Sequence, residues 1–237
     1  MNTVKPHKSL GRSIIVPTAL IICAVIAAVS LCGSNIATPN ISPDELVQQA
    51  IDNLLAAESL TYHTESQLFI NGDTTRLGSI DGEINSGDFH AAGEMLGAPL
   101  NIYQLGSVTW RQDTITEQWL KTEDGRLLTE NALLNEIDPR AAFALTGFTD
   151  AAETDTETIN GEKCRIITFH PQTESGYYEK YFDDLTYTLW IAMKDQRICR
   201  ADITAAASSG TQNSELCITA EFSNYNTTPP IEPPAFN

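Results

Sequence analysis

The spacing of hydrophobic and polar residues changes along the chain, and each pattern predicts a different element. Residues 13–32 are predominantly apolar and contain no charged side chain. From Ser42 onward the apolar residues recur at helical spacing, on a stripe that runs from Leu46 to Leu55. From Thr61 they alternate with polar residues, as in a strand with one buried face. The sequence therefore predicts an apolar N-terminal segment, one amphipathic helix and a β-rich domain.

Turn signals divide the β-rich part into hairpins. Asn71-Gly72 and Asn160-Gly161 each predict a tight two-residue turn, because both residue types tolerate positive φ. Residues 100–110 read as one strand, and the glycine-rich stretch 93–99 before them reads as a mobile flap. Residues 198–206 and 215–222 predict a last hairpin. Up to Trp119 the elements form a meander.

A helical insertion interrupts the strands. Leucines between Leu127 and Ile137 are spaced for a short helix, and Asp138-Pro139 begins a second one that ends at Gly147. Both are rich in large apolar side chains, so we expect them to pack on the sheet. The fold class is α+β: one long, curved antiparallel sheet of roughly nine to eleven strands, with helices covering its concave face.

The N-terminal region indicates export. Lys5, Lys8 and Arg12 precede the apolar run, and every acidic residue follows it. We divide the chain into a cytoplasmic basic flank (1–12), a signal or transmembrane anchor (13–32), a linker (33–41), the folded domain (42–228) and a proline-rich tail (229–237). The domain lies outside the cytoplasm, anchored at the cell membrane or, if the segment is cleaved, secreted.

The nature of the anchor stays open between three alternatives. Cys32 is a candidate for lipidation, but Leu31 departs from the small residue that a lipoprotein signal places directly before its cysteine. A retained transmembrane helix and simple secretion are the other two readings.

Charge excludes several classes of partner. Eleven of the 14 basic residues and all 31 acidic residues follow the apolar run, so the exported part has a formal net charge of −20. A domain this acidic is repelled by nucleic acid and by anionic lipid headgroups. We therefore expect no nucleic-acid partner.

Reactive side chains form no recognisable site. None of the four histidines has another histidine or a cysteine at metal-ligand spacing, and no nucleophile elbow, phosphate loop or dinucleotide motif occurs. We expect no enzyme activity, no cofactor and no metal. Of Cys164, Cys199 and Cys217, the candidate disulfide is Cys199–Cys217, and three unpaired thiols are the alternative.

Apolar side chains on shared strand and helix faces are the remaining signal. They could line a ligand cavity between helices and sheet, or they could simply form the core. The candidate cavity residues are Ile80, Ile84, Val108, Trp110, Leu133, Leu134, Phe143, Tyr187, Leu189, Ile191, Ile218 and Phe222.

The order of these parts resembles that of a known family. The relevant features are the helix start Ser42–Leu46, the stretch Tyr103–Trp110, Trp119-Leu120-Lys121, Trp190-Ile191-Ala192, Ala201–Ala205, Phe222–Asn226 and the proline-rich tail. Together, over about residues 42–234, they resemble the mycobacterial-type LppX/LprG lipoproteins, within the wider LolA/LolB-like superfamily of lipoprotein carriers.

The resemblance implies a half-barrel whose apolar concave face holds acyl chains, with no catalytic residue. The expected function is a membrane-tethered protein that binds a lipid or an acylated molecule for transport or display. The alternative is an extracytoplasmic sensor or protein-interaction domain without lipid cargo, which would bind a protein partner through its acidic outer face or the 93–97 flap.

Overall fold

The computed structural model describes residues 41–123, 137–173, 182–209 and 212–235. The predicted anchor (13–32), Cys32, Leu133 and Leu134 lie outside these ranges, as does nearly all of the first predicted mid-chain helix. Within the described ranges, no helix has both the length and the apolar character needed to cross a membrane.

The predicted leading helix is confirmed as α1, Pro43–Leu55. Its start is a capping box: the Ser42 hydroxyl accepts the Glu45 backbone N–H, and the Glu45 carboxylate accepts the Ser42 backbone N–H. Its buried residues are Leu46, Val47, Ala50, Ile51 and Leu54. Leu55, predicted on the same stripe, instead remains 45% exposed.

The described residues form one antiparallel sheet of eleven strands, at the upper end of the predicted range. The strands are β1 (Ser59–Ile70), β2 (Asp73–Asn85), β3 (Asp88–Met95), β4 (Ala98–Leu105), β5 (Val108–Gln112), β6 (Trp119–Thr122), β7 (Leu145–Ile159), β8 (Glu162–Thr173), β9 (Asp184–Ala192), β10 (Ile198–Ser209) and β11 (Gln212–Ser223).

Two meanders make up the sheet, in the order β6-β5-β4-β3-β2-β1-β11-β10-β9-β8-β7. The first runs outward from β1 to β6, and the second returns from β7 to β11. They join where β11 pairs with β1, in a register from Thr61↔Ser223 to Ile70↔Ser214. The sheet is curved but not closed into a barrel, with β6 and β7 at its edges.

Three local predictions were wrong. Residues 100–110 are not one strand, because Gly106 and Ser107 turn the chain between β4 and β5. Residues 93–99 are not a flap, because β3 and β4 continue to a two-residue turn at Leu96-Gly97. The helix predicted from Asp138 to Gly147 is only a 3₁₀ helix, Pro139–Phe143, and β7 begins at Leu145.

One face of the sheet carries the main apolar core, and we call it the inner face. Helix α1 lies against β7, β9, β10 and the 3₁₀ helix. Buried side chains on this face include Leu60, Ile80, Phe169, Leu189 and Ile203. The opposite, outer face carries most of the charged side chains of the strands. The inner face corresponds to the predicted concave, helix-covered face.

Two adjacent leucines of α1 provide a test of this packing. We expect Leu54→Ala to lower the free energy of unfolding by about 2–5 kcal/mol, because Leu54 is fully buried and its loss leaves a cavity. Leu55→Ala, on the solvent side of the same turn, should change it by less than about 0.5 kcal/mol. Urea denaturation followed by circular dichroism measures both, and equal losses would contradict the packing.

Candidate functional site

Small side chains form much of the floor of the inner face. Ala91, Ala201, Ala205 and Ala220 are buried on β3, β10 and β11. Ala201 and Ala220 are direct cross-strand partners. We call the surface formed by these small side chains the apolar floor. Larger side chains from neighbouring positions lie over it.

The closest contact between a large side chain and this floor is at Gly82. It pairs with Tyr62 across β1 and β2, and the Tyr62 ring lies over it, so that a Cβ at residue 82 would overlap the ring. Glycine within a strand commonly marks such a close approach. The ring of Tyr62 thus occupies space that a side chain at residue 82 would fill.

Residues 137–143, which we call the inner segment, cover the middle of this floor. Ile137, Pro139, Ala142 and Phe143 are buried. Phe143 packs edge-on against Tyr187 and Phe222, with ring centroids 5.8 Å and 6.2 Å away. The segment is thereby anchored on the apolar surface by an aromatic side chain.

Asp138 fixes the turn that starts the 3₁₀ helix. Its carboxylate accepts the backbone N–H of Arg140 at 3.1 Å and both Nε and Nη2 of the Arg140 guanidinium at 3.0 Å. This local pairing lets the chain turn between two buried apolar positions while its charges stay partly exposed.

Two buried tyrosines hold the inner segment from opposite sides. Tyr62 on β1 donates a hydrogen bond to the carbonyl oxygen of Ile137, and Tyr187 on β9 donates one to that of Ala142 at 2.9 Å. Burial raises the pKa of Tyr62 far above its usual value, so this hydroxyl keeps its proton. The two bonds satisfy buried carbonyl groups at both ends of the segment.

Most of the predicted cavity residues come together on the inner face. Eight belong to the main core: Ile80, Ile84, Phe143, Tyr187, Leu189, Ile191, Ile218 and Phe222. Leu133 and Leu134 lie outside the described residues. Val108 and Trp110 are placed on the outer face, contrary to the prediction.

The turn at Gly106-Ser107 explains that error. In one unbroken strand, Ile102 and Trp110 would share a face, because side chains repeat every two residues. The turn instead pairs Ile102 with Arg111 and Tyr103 with Trp110. Trp110 therefore joins the face opposite the buried Ile102, because directly paired residues point to the same face of the sheet and Trp110 is paired with Tyr103.

Tyr62 and Gly82 were absent from the predicted site. Alternation did place Tyr62 on an apolar strand face, and an isolated glycine within the β2 pattern signals close approach. The partner of the Tyr62 hydroxyl, however, lies 75 residues away in sequence. No local pattern identifies that contact.

The predicted Cys199–Cys217 disulfide is absent from the structure, where both residues and Cys164 are free thiols. Cys217 faces Thr204, five residues along β10 from Cys199. Cys199 instead packs near the buried Cys164 on the outer face. Burial, followed by the nearby Cys164, raises the pKa of Cys199 to about 12, so its thiol stays protonated at neutral pH.

No group of three or more histidine, cysteine or acidic side chains in the described ranges is arranged to hold a metal ion.

Comparisons with known proteins identify the fold. No protein-family model and no curated protein sequence matches the chain. The lipoprotein LppX of Mycobacterium tuberculosis superposes with a TM-score of 0.52 at 15% identity, over 80% of this chain and 98% of LppX. LprF from Mycobacterium bovis superposes with a TM-score of 0.52 at 14% identity, over 81% of this chain and 97% of LprF.

A LolA-superfamily protein from Nitrosomonas europaea matches more distantly, with a TM-score of 0.32 at 12% identity over 77% of this chain and 93% of that protein. At such identities the likeness concerns the fold. The chain shares the fold of LppX and LprF, as its sequence resemblance to the LppX/LprG lipoproteins implied.

The two tyrosine hydrogen bonds can be tested together. We expect the double variant Tyr62→Phe/Tyr187→Phe to speed amide hydrogen exchange in residues 137–143, because two buried carbonyl groups lose their donors. Each lost bond should also cost about 0.5–1.5 kcal/mol of stability. Hydrogen–deuterium exchange read by mass spectrometry and urea denaturation measure the two effects.

Tyr225→Phe is the matched control. Its hydroxyl is also buried and donates at 2.9 Å to a backbone carbonyl, but that carbonyl belongs to Ile198. This variant should lose similar stability without faster exchange in residues 137–143. Equal acceleration in the control and the double variant would show that the tyrosines do not act locally.

Proposed function

We propose that the protein is a non-enzymatic, extracytoplasmic binding protein that shelters an acyl chain of a lipid or an acylated molecule on its inner face. The chain enters where the inner segment now lies, between Tyr62 and Tyr187. The N-terminal segment holds the domain at the membrane, from which such a ligand is taken up for transport or display.

The observation that carries this proposal is the construction of the inner face. Its floor is apolar and built largely from alanines and Gly82, and a short segment lies over its middle. Phe143 and the two tyrosine hydrogen bonds hold that segment. Cavities that accept small apolar ligands are concave and mostly apolar, with a few polar groups, and the two tyrosine hydroxyls would supply these once the segment moves.

Magnitudes favour a long acyl chain. Burying about 14 methylenes is worth about 11 kcal/mol, at about 0.8 kcal/mol each. Displacing one buried phenylalanine costs about 3–5 kcal/mol, and breaking two hydrogen bonds about 1–3 kcal/mol. A long chain outweighs these three contacts, which together cost about 4–8 kcal/mol, whereas about four methylenes, worth about 3 kcal/mol, do not.

The likeness of fold supports the location. LppX is a lipoprotein, and the apolar run 13–32 with its basic flank predicts an anchor in the present chain. The predicted linker 33–41 is short, so the domain would stay near the outer leaflet, where an acylated ligand lies.

Lipid analysis of the full chain purified from its own host tests the proposal. Native mass spectrometry and organic extraction should find a long-chain lipid or acylated molecule bound near one-to-one. In binding titrations with fluorescent fatty acids, affinity should rise about fourfold per added methylene over the range in which the chain is buried.

Phe143→Ala should increase the affinity for such probes, because it removes the aromatic anchor of the inner segment. Ala91→Phe should decrease it by filling the floor, and thermal melts must show that this variant is folded. A folded protein that binds no acyl probe, with or without Phe143, would contradict the proposal. A stoichiometric protein partner without lipid would favour the interaction-domain alternative.

A further inference from the structure

A groove lies on the outer face, over β11, β1, β2 and β3. It encloses about 460 Å³. Its lining includes Thr61, His63, Glu83, His90 and Ser223. Strand alternation places these five side chains on the side of the sheet away from the inner segment, and the lining also includes Tyr62, Gly82 and Phe222 of the strands beneath. The groove and the proposed acyl site therefore lie on opposite faces of the same strands.

The groove is rich in groups that both donate and accept hydrogen bonds. The hydroxyl groups of Thr61 and Ser223 lie 2.8 Å apart, and either can be the donor. His63 Nδ1 lies 2.8 Å from an Asp81 carboxylate oxygen. Asn160, from the β7–β8 turn, contributes an amide to the lining.

An amide network extends the groove toward the edge of the sheet. His90 Nε2 donates to the Asn101 side-chain oxygen at 3.0 Å, and the Asn101 amide donates to Gln112 at 3.1 Å. Glu83 lies 3.4 Å from the other imidazole nitrogen. His90 is thereby held in a fixed orientation between groove and edge.

An aromatic platform continues directly from His90. The Tyr103 ring stacks on the imidazole with centroids 3.9 Å apart, and Trp119 meets Tyr103 edge-on at 5.4 Å. Trp110, opposite Tyr103 on β5, is buried, and its indole N–H has no hydrogen-bond partner in the described part of the chain. The outer face thus holds the partly exposed rings of Tyr103 and Trp119 beside the groove, over the buried Trp110.

We infer that this groove and platform bind a neutral saccharide. The C–H faces of a sugar ring are apolar and slightly positive, so they pack on the negative faces of aromatic rings. Sugar hydroxyls both donate and accept, as do the hydroxyl, imidazole and amide groups here. An anionic ligand meets Asp81, Glu83 and a net charge of −20 on the exported part, which repel it.

A cation is the competing ligand, since carboxylates and aromatic faces also attract positive charge. One feature favours the sugar. Asp81 and Glu83 already face the imidazoles of His63 and His90, which leaves Glu221 as the remaining carboxylate of the lining.

Titration of the full chain with neutral hexasaccharides tests the inference. The protein is kept in a detergent without a sugar headgroup, because such a headgroup would compete for the site. Maltohexaose, cellohexaose and mannohexaose are the probes, with spermine as the cationic comparison, and calorimetry and tryptophan fluorescence are the readouts. At least one hexasaccharide should bind with a Kd of about 1 mM or tighter.

Trp119→Ala and Tyr103→Ala should each weaken that binding at least about tenfold, because stacking surface is lost. Trp190→Phe is the control: Trp190 also lies on the outer face, but under Arg200 and bonded to Glu157, outside the groove. Thermal melts verify the folding of all three, and their acyl-probe binding should stay unchanged.

Three results would overturn the inference. The first is saccharide binding that Trp119→Ala and Tyr103→Ala leave unaltered. The second is binding of spermine that depends on these rings, which would assign the groove to a cation. The third is no binding of any probe by a folded protein. None of them bears on the acyl site, which is tested by its own probes and variants.

Discussion

The pairing of β1 with β11 is the constraint on which the rest of the structure depends. It joins strands that are more than 140 residues apart in sequence and merges two meanders into one sheet. Just beyond β11, the Asn226 side chain accepts the Glu58 backbone N–H, and the Thr228 N–H donates to Ser59. These bonds close one end of the β1–β11 pairing, which we call the seam. Bringing β1 and β11 together costs the entropy of closing a long loop before their contacts can stabilise the pair. We therefore expect the seam to form late in folding.

The seam brings the two halves of the inner face together. Tyr62 lies on β1, beside the seam, and Tyr187 lies on β9, in the second meander. Only when both are in place can the inner segment find its two hydrogen-bond donors. The same residues thus serve the core of the domain and the proposed acyl site, so a ligand would replace packing that the empty protein already has. Predicted cavity residues such as Ile80 and Leu189 are accordingly fully buried in the core.

Because the sheet is open, it has two edge strands, β6 and β7, which differ in length and charge. The edge strand β6 has only four residues. The edge strand β7 has fifteen, and its exposed half carries Glu153, Asp155 and Glu157. Charged side chains on an edge disfavour pairing with another chain. The strong acidity of the domain therefore has a structural role as well as the effect of repelling anionic partners.

Much of the architecture could be predicted from the chain alone. The capping box and the stripe of α1, the Asn-Gly turns and the alternation of the later strands are local signals, so the helix and most hairpins follow from neighbouring residues. The turn at Gly106-Ser107 and the early start of β7 were missed because isolated glycines and short apolar runs permit several local structures. The position of this turn and the start of β7 are determined by how the strands pair.

The candidate site, like the fold, was predictable only in part. Sequence by itself determined which strand faces are apolar, and eight of the predicted cavity residues share the inner face. It misplaced Val108 and Trp110, because one unrecognised turn inverts every side chain after it. Only the tertiary structure decided that Tyr62 and Tyr187 hold residues 137–143, and that His90, Tyr103 and Trp119 form one platform. Those contacts depend on strand order and register, which are set by long-range pairing and leave no local pattern.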